Sequence, residues 1–408
     1  MGPSLSMAAL LIFIATYVVL AIGRFPGLRV DRTGATIIGA SFMVAAGVLT
    51  FDEALHAIDW ATIVLLLGMM IVVANLRLSG FFRLVAAAVV RHAHGPRMLL
   101  AGIVAVSGVF SAFFVNDTMC LVLTPLVLEV TLSLRRNPIP YLLAVAMASN
   151  AGSTATITGN PQNMMIGSLS GIHYRTFAMA LTPIAAGALV MTYFVLLLLY
   201  RKEFTRERFD VGQALRVRVN SGLMWKSILV SVVMVGCFFA GYPVAQVAIV
   251  AGAVMLVTRR VKPEKIYHDI DWSLLAMFAG LFVVVSGVEK TSLEEDLFRI
   301  AQGFGLHRPA VLTTFSALLS NIVSNVPAVL VFRPVMAKLP NPELGWLTLA
   351  MSSTLAGNFT VLGSVANLIV VQRARSEVHI TFWDYFRAGA PLTVASLAFG
   401  ALWLTYLR

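Results

Sequence analysis

Apolar runs recur along almost the whole chain, at 4–23, 33–50, 60–76, 98–115, 119–134, 140–157, 177–200, 223–241, 243–258, 273–288, 309–323, 326–337, 345–357, 361–371 and 389–407. A transmembrane helix needs about 20 apolar residues, and several runs reach that length. The first is not read as a signal peptide, since no basic segment precedes it and no small-residue cleavage site leads into a soluble domain. Composition points the same way: of 408 residues, 59% are hydrophobic and 12% charged, about half the charged share of a soluble domain. A soluble fold of this length cannot hide so much apolar surface. A soluble enzyme, a disordered chain and a disulfide scaffold are thereby excluded. Two cysteines, Cys120 and Cys237, build neither a disulfide framework nor a zinc cluster.

Several runs are too short to span, and they come in adjacent pairs split by polar residues. Basic residues orient the chain, because cytoplasmic loops retain Lys and Arg. Arg97 and Arg135 flank the pair 98–134, and they share a side only if that pair dips in and returns as a hairpin. A second hairpin over 309–337 gives ten crossings and places the large majority of the 30 Lys and Arg residues in the cytoplasm. The net charge of +11 is then topology, and nucleic acid is not an expected partner. An amphipathic stretch, 80–95, is expected along the cytoplasmic surface.

The chain repeats itself. His-Ala-Ile-Asp-Trp at 56–60 returns as His-Asp-Ile-Asp-Trp at 268–272, with Gly68 and Gly280 in the same register. Ser111, Asn116 and Pro125 return as Ser320, Asn325 and Pro334, and Thr156, Gly159 and Asn163 return as Thr360, Gly363 and Asn367. The expected organisation is a first repeat at 1–205, a basic cytoplasmic linker at 206–222 and a second repeat at 223–408. Five crossings per repeat is an odd number, so the second copy is inverted. Inverted repeats with broken helices are a signature of secondary transporters.

The polar breaks carry the chemistry. They contain Asn116, Asp117 and Thr118; Ser153, Thr154, Thr156, Gly159, Asn160 and Asn163; Ser324 and Asn325; and Asn358, Thr360, Gly363, Ser364 and Asn367. Gly, Asn and Pro stop helices, and irregular backbone at membrane depth is tolerated only around a cavity or inside protein. Half-helix N-termini suit an anion; freed carbonyls and side-chain oxygens suit a small cation. Small polar residues also serve helix packing in lipid, but the repeated set favours one substrate and ion site. Asp117 is the only acid read near the midplane, and a buried acid there is the candidate coupling group for a proton or cation. Asp59 with Trp60, and Asp271 with Trp272, read as interfacial caps and anchors. No metal site is expected, and no Gly-x4-Gly-Lys-Ser/Thr loop for ATP occurs.

The order of these motifs resembles the ion transporter superfamily: Phe114-Val115-Asn116-Asp117 with Leu123-Thr124-Pro125, then a broken helix, then Ser324-Asn325-Val326-Pro327, Thr360-Val361-Leu362-Gly363-Ser364 and Phe382 to Arg387. It looks most like the arsenite permease and anion permease branch, related to the divalent anion:sodium symporters. The first broken helix, Ser153 to Asn163, departs from arsenite pumps towards the general anion permeases. The resemblance implies hairpin tips that bind ion and substrate through Asn116 and Asn325, a scaffold from the first three helices of each repeat, a moving transport domain, and a homodimer. The resulting expectation is an all-α polytopic protein of the inner membrane. It moves a small anion or oxyanion, arsenite-like or carboxylate-like, on a proton or sodium gradient, with a bound sodium ion as the one candidate cofactor. The alternative is a sodium/proton antiporter. An intramembrane enzyme lacks a catalytic set, and broken inverted repeats argue against a channel.

Overall fold

Caps set where the helices begin: Asp31, Asp59, Asn137, Asn160, Asn220, Asp271 and Asn341 each accept a first-turn backbone N–H at an N-cap position, satisfying donors that a helix start leaves open. The computed structural model describes residues 3–23, 29–204, 219–291 and 303–407. Over these residues the chain is all helical. The helices α1 (Pro3–Ile22), α2 (Arg32–Ala45), α3 (Phe51–Ala57), α4 (Trp60–Ser79) and α5 (Phe81–His92) lead into α6 (Pro96–Phe113) and α7 (Asn116–Ser133). The first broken helix is α8 (Pro138–Ser153) and α9 (Pro161–Ser170), followed by α10 (Tyr174–Leu199). The second half runs α11 (Ser221–Phe239), α12 (Val244–Leu256), α13 (Pro263–His268), α14 (Trp272–Glu289), α15 (Pro309–Val323) and α16 (Asn325–Met336). It ends with the broken helix α17 (Pro342–Ala356) and α18 (Val365–Ala374), then α19 (Phe382–Tyr406). Each break between half-helices holds one 3-10 turn, Ile157–Gly159 and Val361–Gly363.

Seven described helices, α1, α4, α6, α10, α11, α14 and α19, are long and apolar enough to cross a bilayer. Outward-facing Leu11, Val18, Trp225, Leu229 and Val232 on α1 and α11 form a surface that suits lipid rather than water. The run at 33–50 yields a helix of only 14 residues, because α2 ends before Gly47, which sits at φ +72° where a side chain is strained. The linker 206–222 lies outside the described residues up to 218, and α11 already begins at Ser221. The amphipathic stretch 80–95 contains the helix α5.

Packing sorts the helices into two layers. In one, α2 lies on α14 and α4 on α12, with α1 and α11 beside them. A Cβ on Gly68 would meet the Ala248 carbonyl at 2.5 Å, and one on Gly280 would meet the Thr36 carbonyl at 2.8 Å. Both glycines therefore exist for close approach, and the two contacts are equivalent in the repeat, since Gly68 and Gly280, and Thr36 and Ala248, are each 212 positions apart. Further along the same seams, Gly287 meets Met43 and Gly252 meets Ile71, so α2 with α14, and α4 with α12, run parallel. The second layer holds α6–α10 and α15–α19, with α6 on α8, α15 on α17, and α10 on α19. The second halves of the broken helices cross over: α9 packs on α16 and α17, and α18 packs on α7 and α8. Neither repeat is therefore a packing unit by itself.

Candidate functional site

The chain turns at Phe114 and Val115 between α6 and α7, and at Ser324 between α15 and α16. These tips bring the first turns of α7 and α16 towards those of α9 and α18. Four helix N-termini meet at one cavity of about 190 Å³ between the two layers. Its second-layer walls are Asn116 and Asp117, Pro161 and Gln162, Ser324 and Asn325, and Ser364 and Val365. Its first-layer walls are Leu20, Arg32 and Thr33 at the start of α2, and Asp271, Ser273, Leu274 and Met277 at the start of α14. The floor is deep, with Asn116 3% and Asn325 8% exposed, whereas Asp271 at the rim is exposed.

Behind the cavity lies a hydrogen-bonded lattice that links the repeats. Asn163 Nδ2 donates to the carbonyls of Ser153 (3.1 Å) and Thr156 (3.0 Å). At the positions 204 residues on, Asn367 Nδ2 donates to the carbonyls of Gly357 (2.7 Å) and Thr360 (3.0 Å). Each asparagine thus closes the break that precedes its own half-helix. The bonds between repeats obey the same relation. Asn150 Nδ2 donates to Asn367 Oδ1 (3.0 Å) and Thr354 Oγ1 donates to Asn163 Oδ1 (3.4 Å). Ser364 Oγ donates to Asn150 Oδ1 and Asn160 Nδ2 to Thr354 Oγ1, both at 3.2 Å. Asn358 joins through Asn150 Nδ2 at 2.9 Å and itself donates to the Met147 carbonyl at 3.2 Å. A Cβ on Gly159 would lie 2.1 Å from the Ser153 carbonyl, and one on Gly363 2.9 Å from that of Gly357, so both turns need glycine.

The hairpin tips sit on this lattice. Asn116 Nδ2 donates to Asn150 Oδ1 at 3.0 Å, while its buried Oδ1 has no protein partner. The Asn325 amide nitrogen points to Ser320 Oγ (2.6 Å) and to the carbonyls of Ser353 (3.1 Å) and Gly363 (3.2 Å). Asp117 lies in the first turn of α7 and lines the cavity. Ser324 holds φ +79° and ψ 161°, a region that costs a non-glycine residue on the order of 1–3 kcal/mol and recurs at functional sites.

Asn116, Asp117, Ser324, Asn325 and Ser364 line the cavity. Ser153, Thr154, Asn160, Asn163, Asn358 and Asn367 are fully buried behind it, with Thr156 and Gly159 beside them and Thr360 and Gly363 in the second break. Thr118 is half-buried on α7 and does not line the cavity. The sequence reading put Asp117 as the only acid near the midplane; a second acid, Asp271, lines the same cavity at its exposed rim while capping α14 through Leu274 N at 2.9 Å. Four further residues were missed as site residues. Asn150 and Thr354, which are 204 positions apart, were findable by applying the repeat offset to the first break. Gln162 was visible inside the polar run, and Arg32 gave no signal beyond its positive charge.

A cavity with asparagine, serine and aspartate in its walls lies deep among helices whose outer faces are apolar, an arrangement that suits a membrane transporter. The chain belongs to the citrate transporter family, CitMHS, whose model matches residues 9–356; the match stops just before the second break. It is 32% identical to an uncharacterized transporter of Mycobacterium tuberculosis, over 98% of this chain and 99% of the relative. It is 29% identical to the silicon efflux transporter LSI3 of rice, Oryza sativa subsp. japonica, over 92% of each. In fold it matches the crystal structure of the YdaH transporter of Alcanivorax borkumensis, with a TM-score of 0.64 at 14% identity, over 99% of this chain and 97% of that one. The family and these relatives are transporters rather than enzymes.

Proposed function

We propose that this protein is a secondary active transporter of the inner membrane that moves a small anion or oxyanion on a proton or sodium gradient. The observation that carries the reading is the convergence of four helix N-termini and two hairpin-tip asparagines, Asn116 and Asn325, on one cavity. Helix N-termini present free N–H groups and positive dipole ends, and in transporters such half-helix ends address anionic substrate groups. The family's description as citrate transporters belongs to this chemical range; the silicon in the rice relative's name forms an oxyacid that is neutral near pH 7, and it lies outside that range. Asp117 is the coupling group, and its carboxylate takes a proton or balances a bound sodium ion. The two repeats lie inverted in the bilayer, with α6–α7 and α15–α16 entering as re-entrant hairpins from opposite faces. A sodium/proton antiporter is the second reading, favoured by two carboxylates, Asp117 and Asp271, on one cavity.

The test is uptake into proteoliposomes of citrate, succinate, phosphate, arsenite and silicic acid, with pH and sodium gradients imposed separately. Gradient-dependent accumulation of one of the anions is expected. Sodium-driven proton movement with no substrate added, together with no accumulation of any compound, would replace this reading with the antiporter.

A further inference from the structure

We infer that Arg32 is a specificity-determining residue that recognises the anion at one mouth of the transport cavity only, so that substrate affinity differs between the two membrane faces. The inference rests on the anion-transport reading above and adds a residue and a sidedness to it.

Arg32 is the first residue of α2 and lines the cavity from the first layer, opposite the hairpin tips. It is half-buried. Among the described residues, no hydrogen bond or ion pair engages its guanidinium. A guanidinium held partly out of water without a partner is costly, and its planar set of donors matches carboxylates and oxyanions in geometry. The start of α2 is itself fixed, since Thr33 Oγ1 donates to the Ser273 carbonyl of α14 at 3.2 Å and Asp31 caps the helix through Gly34 N at 2.8 Å. The arginine is therefore presented from an anchored helix end. Across the cavity stand the first turns of α7, α9, α16 and α18, so an anion between the layers meets the guanidinium on one side and helix N-termini on the other. An anion satisfies both; a neutral oxyacid leaves the guanidinium unmatched.

The repeat shows why the charge is one-sided. Asp271 corresponds to Asp59, and each caps the helix that follows it. Arg32 corresponds to Val244, the first residue of α12 and equally half-buried. The opposite mouth therefore repeats the carboxylate but not the arginine. In alternating access one layer moves against the other around a fixed site. The substrate then meets Arg32 in one state and Val244 in the other.

The experiment measures KM from each face in sealed vesicles of both orientations, using whichever of citrate, succinate and phosphate the wild type carries fastest. Wild type should show the lower KM at the Arg32 face. Arg32→Gln should raise KM at that face by about 10- to 100-fold, the range for losing a charge-assisted hydrogen bond, and leave the other face within about twofold. Arg32→Lys keeps the charge and should recover most of the affinity. Val244→Arg should lower KM at the opposite face, and this arm decides the matter if Arg32→Gln does not fold. An unchanged KM in Arg32→Gln, an equal rise at both faces, or no effect of Val244→Arg at the opposite face overturns the inference. A wild type that carries silicic acid and none of the anions overturns the anion reading itself, an outcome separate from the behaviour of the variants.

Discussion

Asn150 holds the two repeats together at the site, and removing its side chain tests that directly. The residue is 1% exposed. Its Oδ1 accepts from Asn116 Nδ2 (3.0 Å) and Ser364 Oγ (3.2 Å), and its Nδ2 donates to Asn358 Oδ1 (2.9 Å) and Asn367 Oδ1 (3.0 Å). Asn150→Ala leaves four groups without their partner. Asn116 and Ser364 line the cavity, where water replaces the lost bond, so each loses only the net value of about 1 kcal/mol. Asn358 and Asn367 are fully buried, and an unsatisfied buried acceptor costs about 1–3 kcal/mol each. The total is on the order of 4–8 kcal/mol, a large part of a typical stability of about 5–15 kcal/mol. Thr354→Val, at the equivalent place in the other repeat, removes a hydroxyl that accepts from Asn160 and Gln162 and should cost only about 1–3 kcal/mol. Thermal unfolding in detergent and transport in proteoliposomes read both effects. Asn150→Ala should be markedly less stable than Thr354→Val and inactive. A double-mutant cycle with Asn367→Ala should give a coupling of about 0.5–3 kcal/mol. Stability within about 1 kcal/mol of wild type, or additive losses in the cycle, would refute the lattice as the link between repeats.

Further expectations follow from single contacts. Asp117→Asn keeps shape but removes the charge change, so substrate should still bind or exchange downhill while accumulation against a gradient fails; unchanged ion-driven accumulation removes Asp117 from coupling. Gly68→Val and Gly280→Val each push a side chain into a facing carbonyl and should abolish folded protein on size exclusion, whereas Gly236→Ala, with nothing within 4 Å of its Cβ, should behave as wild type. Ser324→Gly relieves a backbone strain of about 1–3 kcal/mol and should raise the unfolding temperature while lowering transport; a lower unfolding temperature contradicts the strain. Glu53 on α3 accepts a hydrogen bond from Lys290 at 2.6 Å, and this bond, with the Thr50 backbone N–H, holds its carboxyl down to about 2 from 4.5. A depressed carboxyl stabilises above its unfolded value and ceases to as pH falls from about 4.5 towards 2. Wild type should therefore lose slightly more stability than Lys290→Met over that window, and parallel pH curves would show the pair to be inert.

Much of this protein was legible before any helix was placed. Periodicity and length located nearly all the helices, because a chain in lipid must satisfy its own backbone and does so with long apolar segments. The repeat gave Asn116 with Asn325 at the hairpin tips, and Asn163 with Asn367, since both copies close the same kind of break with the same amide. Register between distant helices was not legible. Nothing in the sequence states that α2 runs beside α14, so nothing in it says that Arg32 and Asp271 share a cavity with Asp117. Asp271 read as an interfacial cap, and it does cap α14; its place on the cavity follows from the parallel packing that Gly280 permits against Thr36. The crossing of α9 and α18 into the opposite repeats was likewise hidden, because a hydrogen bond such as Asn150 to Asn367 joins residues 217 positions apart. Local sequence fixes backbone conformation through caps, breaks and apolar length. Which polar ends meet is decided by close approach between helices, and that depends on the packing of the whole chain.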